Sequence, residues 1–210
     1  MNEYFNEKLT WNEAGELIDS AGNFVMMEWE RSIMKAQAKT VTSKGGRVLN
    51  IGFGMGIIDS YISQENIDEH WIIEGHPDVI SKMKEDGWDK KATCIFSSWQ
   101  EAFYDLPKFD GIYFDTWNEG TAFFLRAAKD LLKEDGVLSF FNRPKTATDK
   151  TLKIEEINLN SIKNWADVEF ESFDIGVDIP ENQKANGKTY WNPSEKTYHN
   201  PIITHKNKSN

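Results

Sequence analysis

The stretch Arg47-Val48-Leu49-Asn50-Ile51-Gly52-Phe53-Gly54-Met55-Gly56-Ile57 decides the fold of this chain. Residues 47–51 read as a buried strand that runs straight into a loop with three glycines, and residues 57–64 continue as a helix. A glycine-rich turn between strand and helix is a place where backbone can approach a ligand closely, because glycine reaches left-handed conformations and carries no Cβ. A tight strand-to-helix turn without a ligand is the competing reading.

Working outward, the alternation continues. Residues 71–74 read as a strand and 77–87 as a helix opened by Pro77. Residues 93–96 form the next strand, 99–104 a short helix, and 111–114 a strand ending at Asp115. Residues 121–132 read as a helix, Gly136 as a turn, and 137–141 as a fifth strand. Such βαβα alternation argues for a parallel sheet wrapped by helices. Residues 145–149 read as a polar loop, 154–165 as helical, and 168–173 and 202–205 as strands of an antiparallel hairpin. On the N-terminal side, residues 24–42 read as one helix punctuated by Gly45-Gly46. Residues 1–22 read as irregular, with a short helical candidate at 11–17. Residues 178–198, rich in Pro, Asn and Gly, read as a loop that could lie over a pocket. The expected fold is α/β and Rossmann-like, a mostly parallel seven-stranded sheet with helices on both faces and a C-terminal antiparallel hairpin. Residues 1–44 are expected to cap the site formed by residues 45–210.

Composition narrows the function classes. The 210 residues suit one compact domain, and 39% apolar with 28% charged residues is ordinary for a soluble globular protein. Net charge is −10, which disfavours phosphate backbones and so nucleic acid. Aromatic residues make up 13%, with eight Trp, enough to enlarge a core or to line a pocket for a planar or cationic ligand. The single cysteine, Cys94, sits in an apolar run and reads as an inert buried thiol in a reducing compartment. Residues 1–7 have neither a basic region nor an apolar stretch, so no signal peptide is expected, and no window suits a membrane span. The expected location is cytoplasmic, as monomer or homodimer, with no metal, and residues 206–210 are expected to fray.

Three features carry chemistry. A dinucleotide fingerprint needs its last glycine two residues beyond Gly56, and that position is Ile58, so the spacing Gly52-x-Gly54-x-Gly56 favours S-adenosyl-L-methionine over a dinucleotide. Glu74 ends the second strand about 20 residues beyond the loop, where an acid typically bonds ribose hydroxyls, although it could be a solvated turn residue. Asp115 ends the fourth strand, at the sheet edge where ligands of open α/β sheets bind, next to the expected methyl group; the alternative is an N-cap for the following helix. Met26, Glu30 and Met34 are spaced by four and would share a helix face, where Glu30 alone reads as a surface acid and the methionines as core filler.

Longer segments carry a resemblance. Val25-Met26-Met27-Glu28-Trp29-Glu30-Arg31-Ser32-Ile33-Met34, the run from Lys44 to Met55, Ile67-Asp68-Glu69-His70-Trp71-Ile72-Ile73-Glu74, Phe109-Asp110-Gly111-Ile112-Tyr113-Phe114-Asp115-Thr116, Gly136-Val137-Leu138 and Asn200-Pro201-Ile202-Ile203-Thr204-His205-Lys206 resemble the guanidinoacetate N-methyltransferase family, which includes arginine N-methyltransferases. The likeness covers residues 24–142 well and the ends loosely. It implies an S-adenosyl-L-methionine-dependent enzyme, leaving S-adenosyl-L-homocysteine. The implied cofactor contacts are Met26, Met34, Gly52, Phe53, Gly54, Met55, Gly56, Ile57, Glu74, Gly75, His76, Ser97, Ser98 and Asp115. The implied catalytic pair is Asp115 and Glu30, with Trp11 and Thr116 beside the substrate.

The implied chemistry suits two carboxylates. A guanidinium offers paired N–H donors that match carboxylates, and it stays protonated at neutral pH. A base must take its proton as the nitrogen attacks the methyl group, a role that falls to Asp115 nearest the expected methyl, while Glu30 clamps the other edge. Two acids buried together would push one pKa up, an effect that two bound cations would offset. The chain departs from the family pattern after Asp115, where Thr116-Trp117-Asn118-Glu119-Gly120 is short, and after the fifth strand, where Arg143-Pro144 replaces a Leu-Thr pair. Pro144 removes a backbone donor; Arg143 adds a cationic fork for a substrate carboxylate, or is simply a solvent-facing loop residue. The expected substrate is a small guanidino compound: guanidinoacetate, arginine or a related guanidino acid. Protein-modifying relatives carry an N-terminal repeat region, whereas about 23 residues precede the first strong helix here.

Overall fold

The computed structural model describes residues 3–117, 120–142, 159–181, 183–185, 188–189 and 191–206. Its centre is a seven-stranded sheet built from β4 (Arg47–Ile51), β5 (Glu69–Ile73), β6 (Thr93–Ile95), β7 (Phe109–Phe114), β8 (Leu132–Phe140), β9 (Ala166–Asp174) and β12 (Thr197–His205). The spatial order is β6-β5-β4-β7-β8-β12-β9. The first five of these lie parallel, and β12 runs antiparallel to both β8 and β9. The expected fold class is therefore the observed one.

Alternation along each strand sorts the core into two layers. Val48, Ile72 and Tyr113 face α1 (Arg31–Thr42), α2 (Ile57–Ile62) and α3 (Pro77–Glu85), packing on Met34, Val41, Ile58 and Met83. Leu49, Ile51, Ile112 and Phe114 face α4 (Trp99–Ala102) and α5 (Thr121–Ala128). There Phe114 and Phe124 stack at 4.2 Å and 9°. Helix α1 lies so close to β7 that a Cβ on Gly111 would come within 1.7 Å of the Val41 carbonyl oxygen.

The N-terminal region differs from its sequence reading. Instead of a helix at 11–17 there is a small antiparallel sheet of β1 (Leu9–Trp11), β2 (Leu17–Asp19) and β3 (Phe24–Met26). Two Asx turns explain it. Asn12 Oδ1 accepts from the N–H groups of Ala14 and Glu16, and Asp19 Oδ1 from those of Ala21 and Asn23. Each turn closes on a left-handed glycine, Gly15 (φ 79°) and Gly22 (φ 77°).

The helix expected over 24–42 begins at Arg31. Residues 24–26 are taken by the ladder to β2, Met27 is extended, and the Glu30 carboxylate accepts the Met27 N–H at 2.9 Å. Met26, Glu30 and Met34 thus do not share a helix face: Met26 lies on a strand and Glu30 ends a 3-10 turn, Glu28–Glu30. Further on, α5 ends at Ala128 and β8 begins at Leu132, so Gly136 lies inside a strand rather than in a turn before one. The pairing of Phe109 with Leu132 overrides the helical pattern there. β12 begins five residues before the stretch expected to be a strand, paired along its whole length with β9.

The reading of 145–149 as a loop and the residues Arg143 and Pro144 lie outside the described residues, as does most of the helix expected at 154–165, of which 159–162 is helical. Within 178–198 a short ladder of β10 (Lys184–Ala185) and β11 (Lys188–Thr189) forms. Ile179 and Trp191 are buried against Met27, Trp29 and Tyr198. Among the described residues no helix is long and apolar enough to cross a membrane, and no group of His, Cys, Asp or Glu could hold a metal.

Candidate functional site

The carboxyl ends of β4, β5, β6 and β7 gather the glycine loop, Glu74, Ser97-Ser98 and Asp115 at one edge of the sheet. Gly52, Gly54 and Gly56 have φ of 94°, 56° and 67°. The protein itself fills the space beside them. A Cβ on Gly52 would lie 1.9 Å from the Asp115 carbonyl oxygen, on Gly54 2.8 Å from Met26 Sδ, and on Gly56 2.3 Å from the Phe53 ring. Gly52, which faces backbone, is thus required by the turn and its packing before any ligand is considered, while Gly54 and Gly56 face the ends of side chains and are favoured by their left-handed backbone.

Glu74 is buried and belongs to this loop. Its carboxylate accepts the Phe53 N–H at 2.9 Å and the His76 N–H at 2.7 Å. Burial pushes its pKa up, against these backbone donors and those of Gly54 and Gly75, which favour the anion. It is not a solvated turn residue. Met26 Sδ accepts the Met55 N–H at 3.3 Å and so touches the loop, whereas Met34 is fully buried in the α1 layer. Ser98 caps α4 through the Glu101 N–H, and the Ser97 hydroxyl donates to the Ser98 carbonyl.

His76 is the N-cap of α3. Its Nδ1 accepts the Asp78 N–H at 3.2 Å, which leaves Nε2 as the donor to the Glu7 carbonyl at 3.0 Å. Burial holds its pKa below the usual histidine value. Asp78 in turn accepts from the Leu9 N–H and the Lys8 ammonium. These contacts fasten the N-terminal segment across the edge of β5. There Tyr4 packs on His76 at 5.0 Å and on Trp117 at 6.2 Å, and the Phe5 ring lies where a Cβ on Gly75 would be. None of these aromatic contacts was foreseen in the sequence. Trp11 packs, partly buried, against the layer that holds Met26 and Phe53.

On the other side, Glu30 is 1% exposed, so it is no surface acid. Asp115 is no N-cap either, since α5 starts at Thr121 with Gly120 as its cap. Tyr198 is buried, and its pKa is raised by burial first and then by the charges of Asp115 and Glu30. Trp29, Trp191 and Tyr198 share one buried cluster, with Phe141 and Trp117 partly buried against it. The Thr116 hydroxyl is buried beside Asp115 without a hydrogen-bond partner among the described residues.

Tyr113, Gln37 and Tyr198 went unnoticed in the sequence, yet they link the site. The Tyr113 hydroxyl donates to Gln37 Oε1 at 2.7 Å, and Gln37 Nε2 donates to the Tyr198 hydroxyl at 2.8 Å and to the Phe140 carbonyl at 2.9 Å. Strand periodicity could have found Tyr113, because it lies two residues before Asp115 and so on the same face.

A glycine loop after the first parallel strand, with acids at the ends of the second and fourth, on this strand order, defines a class I methyltransferase fold. Solved structures agree at the level of fold: spermidine synthase from Thermotoga maritima aligns with a TM-score of 0.63 at 17% identity, covering 97% of this chain and 70% of its own. The family model of guanidinoacetate N-methyltransferase matches residues 2–181, and the chain belongs to that family. Curated relatives include "Protein arginine N-methyltransferase 2" of Kluyveromyces lactis, 41% identical over 71% of this chain and 44% of that protein. The protein of the same description from Candida glabrata is 41% identical over 66% of this chain and 37% of its own length. The chain therefore spans less than half the length of these relatives.

Proposed function

We propose that the chain transfers a methyl group from S-adenosyl-L-methionine to a guanidino nitrogen. The observation that carries this reading is a pair of acids, the buried Glu30 before α1 and Asp115 at the carboxyl end of β7, whose charges both reach Tyr198 in the buried aromatic cluster. A guanidinium is the cation that two carboxylates and aromatic faces suit best.

The residues present fit the cofactor. The loop at Gly52–Ile57 offers backbone at the strand ends, Glu74 an acid whose burial favours hydroxyl partners, and Thr116 a buried hydroxyl still to be satisfied. Met26, Phe53, Met55, Gly75, His76, Ser97 and Ser98 line the same edge and would complete its contacts. Met34, buried behind them, would act through packing. When bound, the cofactor supplies a methyl group on a sulfonium, an electrophile that needs an unprotonated nitrogen.

In this reading Asp115 accepts a guanidinium proton as the nitrogen lone pair moves toward the methyl carbon. Glu30, whose carboxylate accepts the Met27 N–H, fixes the guanidinium in line. Trp117 with Tyr4, and the cap formed by residues 1–44, exclude water. Trp11 belongs to the same proposed substrate shell.

A free guanidino acid such as guanidinoacetate or arginine is the substrate this enclosure suits. A second reading, an arginine side chain within a polypeptide, is favoured by the names of the curated relatives. Incubation with labelled S-adenosyl-L-methionine, a panel of free guanidino compounds and arginine-containing peptides tests both. Label on free guanidines supports the first, and label on peptides alone supports the second. Methylation of some other amine or oxygen acceptor, with no guanidine modified, would sink both. Asp115→Asn is expected to abolish transfer while cofactor still binds.

A further inference from the structure

Among the described residues one buried acid is not used by the proposed reaction. Asp59, on α2, has no exposed surface. A carboxylate out of water must be matched by donors. The Asn50 amide nitrogen donates to its Oδ2 at 2.8 Å, and His70 Nε2 lies 2.9 Å from its Oδ1. Asn50, on β4, is equally buried, and the same nitrogen lies 3.1 Å from the Gly52 carbonyl oxygen. A backbone carbonyl can only accept, which fixes the orientation of the amide. One N–H of Asn50 goes to the acid and the other to the glycine loop. Its Oδ1 is buried with no hydrogen-bond partner among the described residues, so the nitrogen alone holds the side chain in place.

The other end of the same peptide is held as well. The Phe53 N–H donates to Glu74 Oε2 at 2.9 Å. The Gly52–Phe53 peptide is thus gripped at its oxygen from β4 and at its nitrogen from the end of β5. A peptide that follows a glycine turns over easily, because no Cβ resists the change. Turned over, it would set its carbonyl against the Glu74 carboxylate and its N–H against the Asn50 nitrogen. Trp88 packs edge-on against both the Phe53 and the His70 rings, at 5.5 and 6.1 Å, so loop and network share a wall. We propose that Asn50 is a positioning residue for the cofactor loop: with Glu74 it fixes the Gly52–Phe53 peptide in the orientation the cofactor meets, and Asp59 with His70 fixes Asn50. The inference rests on the reading of Gly52–Ile57 as the S-adenosyl-L-methionine loop. An amide is needed at position 50 because it must give an N–H in two directions, which a carboxylate cannot do.

An exchange of the pair tests this in the full chain. Asn50→Asp alone sets two carboxylates against each other and takes the donor from Gly52. Adding Asp59→Asn restores a hydrogen bond between positions 50 and 59, with the amide now on α2, but leaves the Gly52 carbonyl facing a carboxylate. A pair that served only the fold would let the double variant recover both stability and binding. The expected result is a melting point close to the parent's, with S-adenosyl-L-homocysteine bound about tenfold more weakly by titration calorimetry. In the ligand-free protein the Phe53 amide proton should exchange roughly tenfold faster by NMR, while the amides of β4 exchange as before. Unchanged affinity, or unchanged Phe53 exchange, in the folded double variant would overturn the proposal. Should that variant not fold, Asn50→Ala removes the donor without adding charge and must show the same two changes; parent-like values there overturn it equally. A parent chain that binds no S-adenosyl-L-homocysteine would sink the cofactor reading itself, and the Phe53 exchange would still decide whether Asn50 pins the loop.

Discussion

Replacing Gly52 by alanine separates two reasons for a glycine in the loop. If the residue is there so that a ligand can approach, Gly52→Ala should leave the ligand-free protein nearly as stable as before and weaken cofactor binding alone. The packing argues otherwise. At φ 94° an L-residue is strained, at about 1–2 kcal/mol. The new Cβ would also lie 1.9 Å from the Asp115 carbonyl oxygen, a backbone atom that cannot rotate away. To clear it, β4 and β7 must separate by about 1 Å, at the point where the Asp115 N–H donates to the Ile51 carbonyl at 2.9 Å. Overpacking of that kind costs a further ~1–3 kcal/mol. The sum, roughly 2–5 kcal/mol, corresponds to a fall in Tm of about 5–15 °C for a domain of this size. Gly87→Ala is the matched control, with φ 74° and no atom within 4 Å of its Cβ, so it carries strain without the clash. Thermal unfolding of the ligand-free variants by circular dichroism measures the difference. A Gly52→Ala melting point no lower than that of Gly87→Ala would refute the packing argument and return the glycine to the ligand.

Gly111→Ala tests the same physics far from the site: with Val41 O 1.7 Å from the new Cβ, α1 must lift from β7, and chemical denaturation should show a loss of about 2–3 kcal/mol. Burial holds the His76 pKa below its usual value of 6.5, so the unfolded chain binds the proton first and stability falls as pH drops below about 6.5. Protonation at Nδ1 also costs the Asp78 N–H its acceptor. Melting curves between pH 7 and 5 should therefore slope less in His76→Gln than in the parent; equal slopes would exclude His76 as a cause. Burial and the charges of Asp59 and Asp89 push the Cys94 thiol up to about 11, so at pH 8 it should react with a disulfide reagent roughly a hundredfold more slowly than a thiol near 9. Complete modification within the time of a free thiol would contradict that.

Several features lay open in the sequence because they depend on neighbours along the chain. The strand from Arg47 to Ile51, its glycine loop and the βα alternation after it are read by period and punctuation, and the sheet has that topology. The acids at strand ends, Glu74 and Asp115, follow from the same pattern. The two Asx turns at Asn12 and Asp19 were equally legible, each with a glycine three residues on, and would have replaced the helix expected there by a hairpin. Residues 24–30 were not legible. Their spacing suits a helix, and the ladder to β2 and the Glu30 carboxylate on the Met27 N–H instead hold 24–27 extended before the 3-10 turn at Glu28–Glu30.

Tertiary structure alone decided what each acid touches. Glu30 read as a surface residue and is buried, tied to the Met27 N–H in a segment that packs against Trp191 and Tyr198 from far along the chain. Gln37 has no signature of any kind, since its meaning lies in bonds to Tyr113, Phe140 and Tyr198 on three different strands or strand ends. Local pattern determines which element forms and which face it buries. The protonation and direction of a buried polar group are set by low-dielectric contacts between distant segments, and no spacing along one chain encodes those.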